Sequence, residues 1–334
     1  MHEIRKDPIL GRWVIIASER NNRPTDFTVN REQPTGGICP FCTDSESHTP
    51  PEILAFRPGE PRPNAPGWQV RVVPNKYPAL RIEGDLGRRA VGMYDMMNAI
   101  GAHEVVIESP LHHVQLADMA PEQVVRVLDA YLQRMLDLQQ DRRFRYVLIF
   151  KNQGAEAGAT LEHAHTQIIA TPVVPKRVSE EIEGARRHFD LHERCVFCDI
   201  VSQESEAGTR VVEENASFVA LEPFASRFPY ETWILPRIHA SRFETLTRDE
   251  LERLSSILRL TLQRLDIALE RVPFNYVLHT APSNSADVSE FYHWHLEIMP
   301  KLTKVAGFEW GSDFFINPTP PEQAAILLRR VRLE

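Results

Sequence analysis

Rare residues occur twice in the same order along this chain. Cys39-Pro-Phe-Cys42 is followed by a histidine pair at 112 and 113, then by His163-Ala-His165. Cys195-Val-Phe-Cys198 is followed by His239, then by His293-Trp-His295. Cys42 to His112 spans 70 residues and Cys198 to His239 spans 41, whereas His112 to His163 spans 51 and His239 to His293 spans 54. The near-constant second interval argues for a duplicated unit, with a larger insertion early in the first copy. Matching strand-like segments, 145–149 and 275–279, precede the two His-x-His pairs.

A length of 334 residues accommodates two such units, each with its own core. Each copy carries one helical stretch. In the first, Pro121 opens a run with Val124, Val127, Leu128, Tyr131 and Met135 at helical spacing. In the second, Thr247 and Glu250 read as a capping box ahead of Leu251, Leu254, Leu258, Leu262 and Leu265. Helices packed on two antiparallel sheets, one per copy, give an α+β fold. The expected organisation is a first unit over 1–175, a charged helical linker over 176–194 and a second unit over 195–334.

Two thiolates and two imidazoles suit a closed tetrahedral zinc site. The order of the residues nominates Cys39, Cys42, His112 and His163 for one and Cys195, Cys198, His239 and His293 for the other, with His113 an equal candidate to His112 by spacing. The competing reading of each Cys-x-x-Cys is a pair of small core residues or a redox dithiol. Finding both pairs trailed by histidines in one order favours zinc.

The stretch around His163 reads as a strand, whose period of two puts His163, His165 and Gln167 on one face. One imidazole is then a ligand while its neighbour turns to a substrate. A largely unprotonated imidazole is a competent nucleophile, and a covalent intermediate divides one hard displacement into two easier ones. Just upstream, residues 151–160 (KNQGAEAGAT) offer glycines, an amide and a hydroxyl to a phosphate. The alternative is an ordinary hairpin loop beside core histidines. The second copy has Leu296-Glu297 after His295 and no glycine over 281–289, which reads as a retained scaffold; a residual metal or substrate contact for His295 or Glu297 is the other reading.

With these residues assembled, the chain resembles the galactose-1-phosphate uridylyltransferase family, a two-copy branch of the histidine-triad superfamily. The likeness covers nearly the whole length and includes ERNNRP with Arg20 and Arg23, VVPNKYPAL with Asn75, the signature from Asn152 to Gln167, and KVAGFEWGSDFFINP with Lys304, Phe308 and Glu309. The resemblance implies that His165 attacks the α-phosphorus of a nucleoside diphosphate sugar and that Gln167 contacts the transferred group. It makes His163 and His112 zinc ligands, Asn75 a base or ribose contact, and Asn152, Gly158 and Thr160 part of the phosphate site, with Arg20 and Arg23 also at the substrate. It implies two zinc ions per chain, iron being an alternative in the second site, and a homodimer in which Lys304, Phe308 and Glu309 serve the partner's sugar pocket. The reaction the resemblance implies is of the UDP-glucose:hexose-1-phosphate uridylyltransferase type; because the KNQGAEAGAT and GFEWGSDFFINP stretches look closer to the branch that acts as an ADP-glucose phosphorylase, a phosphorylase or adenylyltransferase acting on ADP-glucose or a dinucleoside polyphosphate is the alternative.

A net charge of −8 lacks the electrostatic footprint of a nucleic-acid binder, which weighs against a non-catalytic double zinc module on DNA or RNA. No apolar run approaches the roughly 20 residues that span a bilayer, so the expectation is a cytoplasmic enzyme without membrane contact.

Overall fold

The two amphipathic stretches and the β-branched segments between them take their places in a computed structural model that describes residues 2–19, 38–59, 62–283 and 288–333. Arg20 and Arg23 lie outside the described residues. The chain runs through β1 (His2–Lys6), β2 (Trp13–Ala17), β3 (Leu54–Phe56), β4 (Val70–Pro74), β5 (Arg89–Val91), β6 (Tyr94–Met96), β7 (Ala102–Ile107), α1 (Pro121–Leu138), β8 (Tyr146–Gln153) and β9 (His165–Thr171). There follow α2 (Lys176–His192), α3 (Val196–Ala207), β10 (Val211–Glu214), β11 (Phe218–Leu221), β12 (Thr232–Pro236), α4 (Arg248–Ala268), β13 (Phe274–His279), β14 (His295–Pro300), α5 (Gly307–Ser312), β15 (Phe315–Asn317) and α6 (Pro321–Arg330).

The fold is α+β and antiparallel in its main sheet, and the duplication is visible in the strand order. The sheet has ten strands in the order β10-β11-β12-β14-β13-β8-β9-β7-β4-β3, which reads as the same five-strand set run outward in both directions from the β13–β8 seam. Instead of one separate sheet per half, the two sets join edge to edge, because β8 and β13 would each expose unpaired backbone groups if left alone. Across the seam Asn275 stands opposite Asn152 and Leu278 opposite Ile149.

Helices α1 and α4 lie together on one face of this sheet. Pro121 occupies the first turn of α1, and the Thr247 hydroxyl accepts from the Glu250 N–H while the Glu250 carboxylate accepts from the Thr247 N–H. Their buried stripes, Val124, Val127, Leu128 and Met135 on one and Leu254, Ile257, Leu258 and Leu262 on the other, share one apolar core with Ile149, Ile168, Ala170, Leu296 and Ile298 of the sheet. Ile168 and Ala170 thus face the helices, so the period of two turns His165 and Gln167 to the opposite face. His163 precedes β9 rather than lying in it, in the turn that carries the chain into the strand.

On that opposite face the halves differ. Over the second half, α2 and α3 cover β14: Glu181 of α2 reaches His279, and Phe197 of α3 packs on His295 at 5.1 Å. Gly184 lets α2 lie directly on the N-terminal turn, since a Cβ there would stand 1.9 Å from the Ile9 carbonyl oxygen. Over the first half no helix takes the equivalent place among the described residues, and Gln167 is only partly buried while Glu297, its counterpart two residues past the histidine, is buried. A three-stranded sheet ties the chain ends together, with β15 parallel to β2 and β1 antiparallel to it. No described helix is long and apolar enough to cross a membrane.

Candidate active site and metal centres

The structure brings Cys39, Cys42, His112 and His163 together, and separately Cys195, Cys198, His239 and His293, with the ligand atoms of each group within 4.8 Å of one another. His163 Nδ1 lies 3.7 Å from Cys39 Sγ and 3.6 Å from Cys42 Sγ, and His112 Nδ1 lies 3.3 Å from Cys42 Sγ. In the second group His239 and His293 Nδ1 lie 3.3 and 3.6 Å from Cys198 Sγ. Zinc bonds of about 2.3 Å to sulfur and about 2.0–2.1 Å to nitrogen in a tetrahedron require S···N edges of about 3.6 Å, so both groups have the dimensions of that site.

The other ring nitrogens agree. His163 Nε2–H donates to the Ser109 carbonyl at 2.7 Å, His239 Nε2–H to Ser289 at 2.5 Å, and His293 Nε2–H to Pro236 at 3.1 Å. Each bond leaves the Nδ1 lone pair facing the cysteines, the usual second-sphere arrangement at a zinc histidine. His112 Nε2 points at the Glu162 carboxylate, 3.8 Å away. His113 packs edge-on against the His112 ring and has no place in the group.

His165 sits at the start of β9, 7% exposed. Its Nδ1–H donates to the carbonyl of His163 at 2.8 Å, which assigns the proton to Nδ1 and leaves the Nε2 lone pair free. Phe41, between the two cysteines, stands against the ring at 5.4 Å. Burial holds the His165 imidazole below its ordinary value, and the nearby Lys151 ammonium pushes the same way. The ring is therefore neutral at pH 7, as a nucleophile requires.

Gln167, two residues on, receives a hydrogen bond on Oε1 from His103 Nε2 at 2.8 Å. Asn75 lies against the same imidazole, with its amide nitrogen 3.1 Å from Nε2. Asn152, at the end of β8, has its Oδ1 taken by Asn275 Nδ2 at 2.8 Å, so its own amide hydrogens turn toward the loop that follows. That loop passes through Gly158 at φ +91°, a left-handed conformation that L side chains rarely adopt, and a Cβ there would lie 3.6 Å from Asn152 Nδ2. Thr160 is exposed on the same loop. Lys304, Phe308 and Glu309 lie at and before α5; Glu309 caps that helix by accepting from the Ala306 N–H, and among the described residues none of the three bonds to the His165 neighbourhood.

Two further groups emerge only from the folded chain. Beneath His165, Lys151 Nζ donates to Glu108 Oε2 at 2.8 Å and to the His165 carbonyl at 3.1 Å. Glu108 Oε1 accepts from Thr166 at 2.5 Å, and Tyr131 and Tyr276 join the same cluster, Tyr276 coming from the second half. Nothing in the spacing of these residues signals the cluster. In the second half Glu181, His279, His295 and Glu297 form a third group of metal-capable residues, all buried. Its charges are already answered by protein: Arg227 donates to Glu297 at 2.6 Å, and Arg177 lies 3.2 Å from Glu181. Although burial alone would raise it, the Glu181 carboxyl is taken down to about 2, chiefly by His279. Burial pulls His295 down to about 4, with His279 adding to the effect. The group is a closed ion network, and His295, the counterpart of His165, is sealed within it beneath Phe197 and Trp233.

The galactose-1-phosphate uridyl transferase N-terminal domain family matches residues 1–175, and a domain of unknown function (DUF4921) matches residues 98–331. Among curated relatives, an ADP-glucose phosphorylase from Arabidopsis thaliana is 39% identical over 99% of this chain and 93% of its own length. A galactose-1-phosphate uridylyltransferase from Thermotoga maritima is 31% identical, covering 100% of both chains. The crystal structure of an Arabidopsis thaliana ADP-glucose phosphorylase with bound ADP-glucose superposes with a TM-score of 0.86 at 37% identity, covering 100% of each chain. With family match, whole-length relatives and fold in agreement, the chain belongs to the galactose-1-phosphate uridylyltransferase family of nucleotidyltransferases.

Proposed function

We propose that the chain moves a nucleoside monophosphate from a nucleoside diphosphate sugar to a second phosphate acceptor by way of His165. The observation that carries this reading is the Nδ1–H bond from His165 to the carbonyl of His163, which fixes the tautomer and leaves Nε2 as the free nucleophile. Nε2 attacks the α-phosphorus and the phosphoanhydride bond to the sugar 1-phosphate breaks, its electron pair leaving on that group's oxygen. A sugar 1-phosphate or inorganic phosphate then attacks the same phosphorus from the other side and frees His165. Gln167, Asn152, Gly158 and Thr160 supply donors to the phosphoryl oxygens, and Asn75 meets the nucleoside.

Zinc held by Cys39, Cys42, His112 and His163 serves as a structural pin that sets the backbone from which His165 takes its orientation. The second quartet anchors α3 to the sheet in the same way, with iron as the other candidate metal. The exposed Phe308 and Trp310 beside Lys304, with Trp310 80% exposed, suit a face covered by a second copy, in keeping with a homodimer whose sugar pocket borrows Lys304, Phe308 and Glu309. Cysteines gathered into metal quartets and not into disulfides suit a reducing compartment, the cytoplasm.

The nucleotide is the finer question. The 39% likeness to an ADP-glucose phosphorylase, against 31% to a uridylyltransferase, favours an adenylyl donor over a uridylyl one. Incubating the enzyme with ADP-glucose or UDP-glucose labelled in the α-phosphate, without acceptor, decides both questions. A stoichiometric acid-labile adduct, absent in His165→Ala, is expected, with ADP-glucose the faster donor. An adduct that persists in His165→Ala sinks the mechanism.

A further inference from the structure

Gln167 can help a phosphoryl group only if its amide is turned the right way. Presented through nitrogen, it donates to an anionic oxygen; presented through oxygen, it repels one. The two ends of a glutamine side chain have nearly the same shape, so something other than packing must choose.

We propose that His103 is the positioning residue that makes this choice, an inference that rests on the nucleotidyl-transfer reading above. On β7 and β9, Val105 stands opposite Gln167, so His103, two residues along β7, shares its face of the sheet. The backbone N–H of Ala79 donates to His103 Nδ1 at 3.1 Å, and a backbone N–H has no alternative role as acceptor. Nδ1 is thereby the bare nitrogen and Nε2 carries the hydrogen. That hydrogen goes to Gln167 Oε1, 2.8 Å away. The Gln167 oxygen is turned toward β7, and its NH2 group is left for the phosphoryl oxygen.

Asn75 is set beside the same imidazole by a second backbone N–H. Its Oδ1 accepts from the Tyr77 N–H at 2.9 Å, which places its amide nitrogen beside His103. Since Nε2 is a donor, that nitrogen finds no acceptor there and keeps its hydrogens for a ligand. Two backbone N–H groups thus set two amides: that of Ala79 orients Gln167 through the His103 imidazole, and that of Tyr77 orients Asn75 directly. At the corresponding carboxylate of the second half, Arg227 binds Glu297 directly at 2.6 Å.

The experiment exploits the reach of two amides. In His103→Asn the side-chain amide sits near the Nδ1 position, can still accept from Ala79 and does not reach Gln167. In His103→Gln an N–H stands near the Nε2 position and can donate to Gln167. Single-turnover formation of the His165 adduct from α-phosphate-labelled ADP-glucose is measured, with melting temperature and zinc content compared with the parent protein. His103→Asn is expected to slow adduct formation by up to about 100-fold, the lower range for loss of one oxyanion donor, with little change in KM. Gln167→Ala should slow it equally, His103→Asn combined with Gln167→Ala should be no slower than Gln167→Ala alone, and His103→Gln should recover to within about tenfold of the parent. Ala79 is exposed, so its N–H turns to water without penalty; His103→Ser, which needs no amide fit, replaces His103→Asn if that variant does not fold. A full rate in His103→Asn or His103→Ser, multiplicative effects in the double variant, or a His103→Gln enzyme as slow as His103→Asn overturns the inference. An adduct that survives His165→Ala overturns the underlying function instead, so the two failures are distinguishable.

Discussion

Lys151→Met removes the cation from the buried cluster under His165. Lys151 is 1% exposed and its partner Glu108 is fully buried, so neither charge has water to fall back on. Without the ammonium, Glu108 keeps hydrogen bonds from Thr166 at 2.5 Å and Tyr131 at 3.3 Å but loses its counter-charge. Breaking a buried pair by deleting one member costs about 3–5 kcal/mol, because it strands the other charge. In a chain of this size, at about 2 °C per kcal/mol, the melting temperature should fall by about 6–10 °C. Glu108→Gln strands the ammonium in the same way. Combining Lys151→Met with Glu108→Gln removes both charges, and the double variant should lose much less than the sum of the two singles, with a coupling of about 2–3 kcal/mol. Urea unfolding of the four proteins of this cycle, followed by tryptophan fluorescence, supplies the numbers. Additive losses, or a Lys151→Met melting temperature within about 1 °C of the parent, would refute the claim that each of these buried charges depends on the other.

Other consequences are open to direct measurement. Elemental analysis should find two zinc ions per chain; Cys42→Ser should lose one of them together with adduct formation, whereas Cys195→Ser should lose one and leave the His165 adduct intact at 25 °C. Gly184→Ala forces a Cβ to 1.9 Å from the Ile9 carbonyl, so α2 must lift off the N-terminal turn at a cost of about 1–3 kcal/mol, read as a lower urea midpoint. Burial raises the Asp266 carboxyl from its ordinary 3.8 to about 6. The native state therefore holds that proton more tightly than the unfolded chain, and Asp266 favours folding below about pH 4 and loses this contribution as pH rises through about 6, by up to about 3 kcal/mol. Asp266→Asn should accordingly be more stable than the parent at pH 7.5 and should lose that advantage at pH 4; an equal difference at both pH values would remove Asp266 as the cause.

Much of the site was legible because its residues are rare and their order repeats. Both Cys/His quartets follow from that order, and the two long helices follow from apolar spacing and from the Thr247 and Glu250 cap. Spacing was silent between His112 and His113, since adjacent residues differ only in which way the turn after Pro110 points them. It was equally silent about His103, an unremarked histidine in a strand until Ala79 and Gln167 are brought to either side of it. Glu181 lies in the segment expected to be only a linker, yet α2 carries its side chain to His279, 98 residues on. The joining of the halves into one sheet was also hidden, because strand alternation specifies which face is buried and not which edge finds a partner.

The β13–β8 seam has a bearing on what the second half, with His295 packed under Phe197 and Trp233, does for the first. Were residues 195–334 removed, Tyr146–Gln153 would become an open border of the sheet, and Asn152 would lose Asn275, which holds its amide. The surviving fragment would keep His165 and the first Cys/His quartet yet offer a raw margin to any passing strand, with clumping as the expected fate. The second copy acts as a permanent dressing on that margin, a service to solubility and to the alignment of Asn152 that stands beside whatever its own residues lend to a substrate.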